Sequence, residues 1–269
     1  MSVDLSVKFK ASTWLGTGLR TLLKLIPDRA MVPILSGPAR GMRWTKGTGT
    51  NGCWLGTYEI QCAQFIAAIC RQLPKNKAFY DVGANAGYFS VLARRVAPNI
   101  PLILFEPDPD NIASIKQNLA LNNLDDYQLH ECAVSDSNGI LTFTKGENHA
   151  TGKLLPNAAD AAPATLQSNG NSAFAVPSMT LDSLTSKADF VPPGLIKMDI
   201  EGAEHVALCA AKKLLETFKP ALALSVHSDE LYTQCQSLIQ SHGYSDVTAH
   251  FLKGESAHFM ILALHPDNR

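Results

Sequence analysis

The chain has 269 residues, of which 46% are hydrophobic and 17% are charged, and its formal net charge is −1. This composition is that of a globular protein and excludes a disordered or fibrous chain. The near-neutral charge argues against general binding to nucleic acids. No apolar run approaches the roughly 18 residues of a membrane-spanning helix. Six scattered cysteines without metal-ligand spacing favour buried thiols in a reducing compartment, so we expect a cytoplasmic protein without a secretory signal.

Residues 1–76 are predicted to form an N-terminal cap. Leucines at helical spacing predict a helix at 12–26, which Pro27 ends. We expect this helix to pack on the main domain, with a helix lying on a membrane surface as the alternative. Glycine-rich sequence at 37–57 predicts turns and short strands, and helical spacing returns at 59–73.

Residues 77–269 show the alternation of strand and helix that is typical of one larger domain. Apolar runs predict strands at 79–82, 102–105, 128–134, 195–198 and 221–226, and helices at 87–97, 109–122, 203–217 and 229–242. The last two runs, 245–250 and 258–264, predict a hairpin, which requires one antiparallel strand. The pattern therefore predicts an α/β fold with a mostly parallel seven-stranded sheet. Residues 145–175 are rich in small and turn-forming residues, and we expect a mobile loop insertion near the ligand.

A glycine turn follows the first strand of this domain, which ends near Asp81. Gly83 and Gly87 stand four residues apart between a buried strand and a helix, where they permit a tight turn and the close approach of a ligand. The helix N-terminus is expected to offer free N–H groups to a carboxylate or phosphate. The turn lacks the G-x-G-x-x-G pattern of dinucleotide sites. Since Asp81 suits an amino group better than a pyrophosphate, S-adenosylmethionine, with its amino-acid end, fits this turn.

The second strand ends in Glu106, 19 positions after Gly87. This spacing is close to the roughly 20 residues expected for a carboxylate that binds ribose hydroxyls. We therefore interpret Glu106 as the ribose ligand.

Polar residues also follow two later strands, whose carboxyl ends meet at the same edge of the sheet. Asp199 and Glu201 come after one strand, and His227 comes after the next. A histidine titrates near neutral pH and suits the removal of a hydroxyl proton. We assign His227 as the general base, with Asp199 and Glu201 as ligands or orienters of an acceptor hydroxyl.

Other charged residues near these strand ends receive weaker assignments. Glu204 fits a helix-start acid as well as a site residue. Lys197 is expected to be a surface charge on the opposite face of its strand. No metal is predicted, although a divalent ion at Asp199 and Glu201 stays open. His149 and His205 receive no role.

Five segments together resemble the FkbM-type S-adenosylmethionine-dependent methyltransferases. They are WLGTYE at 54–59, YDVGANAGY at 80–88, FEP at 105–107, TLD at 180–182 and IKMDIEGAE at 196–204, the last being the most specific. The resemblance spans residues 37–244. It implies a class I methyltransferase (Rossmann-like) fold, S-adenosylmethionine as methyl donor, and a hydroxyl acceptor on a sugar or secondary metabolite.

The same resemblance implies a set of residues that contact the donor. These are Glu59, Asp81, Gly83, Ala84, Asn85, Gly87, Tyr88, Phe89, Glu106, Pro107, Ala133 and Asp199. Two other functions stay open: a non-catalytic module that binds S-adenosylmethionine, and a nicotinamide-dependent oxidoreductase. The oxidoreductase interpretation lacks both G-x-G-x-x-G and a clear catalytic Tyr–Lys pair. A small-molecule or glycan acceptor is expected, with no nucleic acid and no integral membrane segment.

Overall fold

The computed structural model describes residues 26–145, 152–155, 167–168, 171–251 and 259–268. Its first elements are an antiparallel pair of strands, β1 (Met31–Pro33) and β2 (Arg43–Thr45), and two helices, α1 (Asn51–Leu55) and α2 (Ile60–Cys70). The helix expected at 12–26 lies outside the described residues apart from its last position. Helix α1 was not predicted, because its five residues are too few for a helical repeat to show in the sequence.

The remaining elements follow in the alternating order that the sequence predicts. They are β3 (Ala78–Val82), α3 (Tyr88–Val96), β4 (Leu102–Phe105), α4 (Pro109–Ala120), β5 (Tyr127–His130), β6 (Ala133–Val134), β7 (Gly139–Lys145), β8 (Gly152–Leu155), β9 (Gln167–Ser168), β10 (Asn171–Met179), α5 (Leu181–Leu184), β11 (Pro193–Met198), α6 (Glu204–Cys209), α7 (Lys212–Phe218), β12 (Ala221–Val226), α8 (Asp229–Ser241), β13 (Asp246–Phe251) and β14 (Phe259–Leu264). A short 3₁₀ turn, Pro266–Asn268, follows β14.

The central sheet has seven strands in the order β13-β14-β12-β11-β3-β4-β5. Strand β14 pairs antiparallel with both β12 and β13, and the pairs from β12 to β5 are parallel. The predicted α/β class, the seven strands and the terminal hairpin are therefore confirmed. The chain moves outward from β3 to β5 and then returns to β11 on the other side of β3. The carboxyl ends of β3 and β11 thus mark the switch point at which open α/β sheets bind ligands.

A second, smaller sheet has the strand order β6-β10-β7-β8, with β9 paired to β10. The prediction of one strand at 128–134 was wrong, because β5 ends in the central sheet and β6 pairs with β10 in the second one. The predicted loop at 145–175 also contains β8, β9 and the start of β10, so the prediction that this whole range lacks structure was wrong. Small residues obscured these strands, whose pairing with β7 and β10 is antiparallel. The other residues of the range, including His149, lie outside the described part.

The helix predicted at 203–217 is divided into α6 and α7. The break is stabilised from outside the segment, since the Asp182 carboxylate accepts hydrogen bonds from the backbone N–H groups of Lys213 (3.0 Å) and Leu214 (2.8 Å). A carboxylate in this position satisfies N–H groups that have no partner inside α7. Such a tertiary cap leaves no mark in the local sequence.

Apolar clusters cover both faces of the central sheet. One cluster joins Trp44, Trp54 and Ile66 of the N-terminal part to residues of β3 and α3. The other packs helices α5 to α8 on the opposite face. The described part of residues 1–76 therefore packs directly on the sheet. No helix in the described residues is long and apolar enough to cross a membrane.

Candidate active site

A cavity of about 370 Å³ opens at the switch point between β3 and β11. This volume lies in the range of small-molecule sites, roughly 300–1,000 Å³. Most of the predicted site residues line it, namely Glu59, Gly83, Ala84, Asn85, Tyr88, Phe89, Glu106, Pro107, Ala133, Asp199, Glu201 and His227. Two predicted residues, Asp81 and Gly87, are buried beside the turn and do not line the cavity. The strand ends therefore bring the donor and acceptor candidates to one place.

Gly83 is required by the packing of two backbone segments. Its φ is +72°, and a Cβ atom there would lie 1.9 Å from the carbonyl oxygen of Asp199. Gly87 has φ +84° as the residue before α3, but a Cβ atom there would meet Ile115 only at ordinary distances. The neighbouring strand end therefore requires glycine here, while Gly83 itself lines the cavity, and the expectation that a ligand approaches its backbone stays a prediction.

The N–H groups of the glycine turn are largely used inside the protein. Gly83 and Ala84 donate to the carbonyl oxygen of Phe105, and Asn85 donates to Glu106 at 2.8 Å. These three residues precede the helix N-terminus, for which the free N–H groups were predicted. The first turn of a helix still leaves amides without intrahelical partners. In α3 these include the amides of Tyr88 and Phe89, both of which line the cavity.

Glu106 is a buried carboxylate held at the end of β4. Its Oε1 accepts from the backbone N–H of Asp108 (3.0 Å) and the side-chain amide of Asn111 (3.2 Å), and its Oε2 accepts from Asn85. Burial raises its pKa to about 7, against the opposing effect of these hydrogen bonds. The arrangement fixes the side chain in the cavity wall, where the sequence placed a ribose ligand.

The acid Asp81 and the base Lys197 lie next to each other under the glycine turn. Asp81 is 1% exposed, and its Oδ2 accepts a hydrogen bond from the Ser90 hydroxyl at 2.7 Å. The Lys197 ammonium lies 3.9 Å from Asp81 Oδ1 and donates to the carbonyl oxygen of Gly83 at 2.9 Å. The prediction that Lys197 is a surface charge was wrong. Lys197 is only 3% exposed, because β11 is buried on both faces.

His227, Asp199 and Glu201 form a charged group at the other end of the cavity. His227 Nε2 lies 3.2 Å from Asp199 Oδ1 and 3.8 Å from Glu201 Oε2. Their side chains are 27%, 15% and 22% exposed, so they are open enough to meet a ligand. Burial alone would lower the pKa of His227, but the hydrogen bond to Asp199 and the neighbouring carboxylates raise it to about 9. An imidazolium therefore bridges the two carboxylates at neutral pH.

Glu204 positions the turn that carries these acids. It is fully buried, and its carboxylate accepts from the backbone N–H of Ile200 (2.8 Å) and of Gly202 (3.1 Å). The turn contains Glu201 at φ +55°, a left-handed conformation that is uncommon for a residue with a side chain. Of the two interpretations given for Glu204, the structure supports the one in which it stabilises the start of α6.

Glu59 enters the cavity from the N-terminal part of the chain. It precedes α2 with φ +38° and ψ +56°, again in the left-handed region. Burial, followed by the negative charge of Asp199, raises its pKa to about 7, while Lys197 acts in the opposite direction. Its Oε2 is buried and accepts no hydrogen bond from the described residues. A strained backbone that holds a carboxylate with one unsatisfied oxygen in a cavity is typical of functional sites.

Some cavity residues were missed by the sequence analysis. Lys197 stands inside the IKMDIEGAE segment and could have been found by asking how a lysine fits a strand buried on both faces. Asn111 and Phe143 line the cavity from α4 and β7. Neither carries a local signal, because tertiary packing alone brings them to the site.

Asp199, Glu201 and His227 also offer three ligand atoms that lie within 4.8 Å of one another. Such a set of two carboxylates and an imidazole is suitable for a divalent cation. The same three groups already pair with one another when His227 carries its proton. The prediction of no metal therefore stays a prediction that needs an experiment.

The sheet order and the cavity at its switch point define a class I methyltransferase fold. The sequence matches the family described as the methyltransferase FkbM domain over residues 81–264, and the chain belongs to this family.

Several known proteins are similar to parts of the chain. Methyltransferase sdnD of Sordaria araneosa is 38% identical over 73 residues, which cover 27% of this chain and 28% of that protein. The 2-O-methyltransferase NoeI of Sinorhizobium fredii is 30% identical over 159 residues, 56% of this chain and 64% of that protein. The match to each thus spans less than two thirds of the relative. A crystal structure of methyltransferase FkbM from Methylobacillus flagellatus aligns with 16% identity and a TM-score of 0.48, over 77% of this chain and 59% of that one.

We predict that Gly83→Ala destabilises the fold by at least about 2 kcal/mol, because the new Cβ atom meets a backbone oxygen and φ is positive. Gly139→Ala is the matched control, since a Cβ atom there has no neighbour within 4 Å. We expect the control to change the free energy of unfolding by no more than about 0.5 kcal/mol. Denaturant unfolding measures both. A Gly83→Ala protein as stable as the wild type would show that this strand contact is looser than described.

Proposed function

We propose that the protein transfers a methyl group from S-adenosylmethionine to a hydroxyl group of a sugar or other small molecule. The observation that carries the proposal is that one cavity contains both Glu106 with the α3 N-terminus and His227 with its two carboxylate neighbours. The family membership and the 2-O-methyltransferase named among the relatives support it.

The residues present fit the donor by charge. Glu106 would accept hydrogen bonds from the ribose hydroxyls, and the first-turn amides of Tyr88 and Phe89 would meet the donor carboxylate. Glu59, with its unsatisfied Oε2, and Asp199 would face the ammonium group. When bound, S-adenosylmethionine supplies a methyl group on a positively charged sulfur; an oxygen nucleophile would attack the methyl carbon, and the sulfur would leave as the neutral thioether of S-adenosylhomocysteine. The acidic wall of the cavity matches that positive charge.

His227 is the proposed base for the acceptor hydroxyl. With Nε2 hydrogen-bonded to Asp199, the other ring nitrogen of neutral His227 would take the hydroxyl proton, and Asp199 would stabilise the imidazolium that results. Because the pKa of His227 is raised to about 9 in the free protein, only about 1% of the side chain is neutral at pH 7. We therefore expect the rate of methyl transfer to rise with pH above the ordinary pKa of a histidine.

The described residues of the segment 1–76 act as a cap that contributes Glu59 to the site, and residues 77–269 form the domain that binds the donor. All six cysteines are free thiols, five of them buried, which supports a reducing compartment such as the cytoplasm. The net charge of −1 and the acidic acceptor end support a small neutral acceptor over a nucleic acid.

The direct test is incubation with methyl-labelled S-adenosylmethionine and a panel of neutral glycans and small alcohols, with RNA included for comparison. We expect label on the oxygen of at least one neutral acceptor and none on RNA. Calorimetric binding of S-adenosylmethionine without transfer to any member of the panel would favour the non-catalytic module. Binding of a nicotinamide nucleotide in its place would favour the oxidoreductase.

Glu106→Ala should weaken S-adenosylmethionine binding about tenfold or more, because the loss of a charge-assisted hydrogen bond costs on the order of 1.5–3 kcal/mol. Glu131→Ala is the control and should bind normally. Glu131 is an exposed acid that follows β5 at the same edge of the sheet and does not line the cavity. Titration calorimetry measures both affinities. Unchanged affinity in a folded Glu106→Ala protein would remove the ribose assignment.

His227→Ala should lower the rate of methyl transfer by roughly 10²–10⁴-fold, the usual contribution of a positioned base. In the wild type, kcat/KM should rise about tenfold per pH unit below pH 9 and level off above it, since only the neutral imidazole accepts a proton. The dependence should flatten in the variant. His205→Ala, a histidine on α6 outside the cavity, should keep both rate and profile. A His227→Ala enzyme with nearly normal turnover would place the base elsewhere.

Dialysis against a chelator should leave the rate unchanged, because protonated His227 already neutralises part of the charge between Asp199 and Glu201. The assay is methyl transfer before and after chelation. Loss of activity that Mg²⁺ or Mn²⁺ restores would instead assign these three residues to a metal.

A further inference from the structure

We infer that Lys197 is a positioning residue for the transfer reaction: its buried ammonium ties the glycine turn to the Asp199 strand end and is the shared counter-ion of the carboxylates that receive the donor. This inference rests on the proposed function, because it assumes that the carboxylates bind the donor ammonium.

The contacts of Lys197 reach across the switch point. Its ammonium donates to the Gly83 carbonyl oxygen at 2.9 Å and lies 3.7 Å from Asp199 Oδ2 and 3.9 Å from Asp81 Oδ1. It also lies 5.4 Å from the centre of the Phe89 ring. One side chain on β11 thus contacts the strand β3, the turn that follows it and the first turn of α3.

Stability alone does not account for this arrangement. A buried ion pair is often no more stabilising than apolar residues of the same volume. Here Asp81 Oδ1 accepts no hydrogen bond from the described residues, and its distance of 3.9 Å from the ammonium is longer than a hydrogen bond. A leucine or methionine would stabilise an otherwise apolar strand without the desolvation cost of a buried ammonium. The charge is therefore best explained by what it does to its neighbours.

Lys197 acts on charged groups from three elements. They are Asp81 on β3, Asp199 after β11 and Glu59 before α2, and the Cys62 thiol of α2 also faces it. Burial raises the pKa of Asp81 and of Glu59, and the ammonium opposes this rise in both. Without Lys197 these carboxylates would hold protons at higher pH and would bind an ammonium group less well. The ammonium thus keeps the carboxylates at the donor site negatively charged.

The test compares four variants of the full chain. Lys197→Met removes the charge but leaves Asp81 buried without a counter-ion, so this variant is expected to be unstable. The double variant Lys197→Met with Asp81→Asn replaces both charged side chains of the pair. Asp81→Asn alone is its reference and should bind more tightly than the double variant, which separates the effect of Lys197 from that of Asp81. Lys116→Met is the matched control, because Lys116 is an exposed lysine with a carboxylate partner, Glu131.

The probe is S-adenosylhomocysteine, with its affinity measured by calorimetry from pH 5.5 to pH 8 and the unfolding temperature measured in parallel. We expect the double variant to unfold within a few degrees of the wild type. It should bind the probe at least tenfold more weakly than the wild type at pH 7. The rise of its affinity with pH should occur about one pH unit higher than in the wild type. Lys116→Met should match the wild type in every respect. A stable double variant with wild-type affinity and pH dependence would show that Lys197 is only a structural partner of Asp81.

A double variant that does not fold would also contradict the inference, since it would make the pair essential to stability. Failure of the proposed function itself gives a different result, because the wild-type protein would then not bind the probe at any pH.

Discussion

The site depends on one close contact, in which the carboxyl ends of β3 and β11 meet with the Lys197 ammonium buried between them. Gly83 packs against the Asp199 carbonyl so tightly that no side chain fits. The backbone N–H of Asp199 also donates to the Val82 carbonyl oxygen at 3.0 Å. The glycine turn and the acidic strand end are therefore held directly against each other by backbone contacts.

This constraint divides the cavity into two ends with different chemistry. Glu106 and the start of α3 provide a fixed carboxylate and helix amides, which suit a nucleoside and a carboxylate. His227, Asp199 and Glu201 provide an imidazole and two carboxylates, which we propose receive the acceptor hydroxyl. Two residues that line the cavity, Glu59 and Glu201, have a backbone with positive φ. Such conformations persist where function requires a side chain in a position that the local sequence does not favour.

The sequence was sufficient for the architecture and for most of the site, because both follow local rules. Buried parallel strands are apolar throughout, and the polar residues that end them must meet at one edge of the sheet, which placed Glu106, Asp199 and His227 correctly. The sequence was insufficient where contacts between distant parts of the chain determine the burial or pairing of a residue. The burial of Lys197, the cap that Asp182 provides to α7 and the division of 128–134 between two sheets all depend on partners far along the chain. The raised pKa of His227 likewise depends on the distance to Asp199, which no spacing in the sequence encodes.

A crystal structure of the protein with S-adenosylhomocysteine bound would test the roles of the two ends of the cavity most directly. We predict that the ribose hydroxyls lie within hydrogen-bond distance of Glu106, that the carboxylate meets the first turn of α3, and that the sulfur faces the side of the cavity formed by Asp199 and His227. A structure in which the ribose avoids Glu106, or in which the sulfur points away from His227, would contradict the division of the cavity into a donor end and an acceptor end.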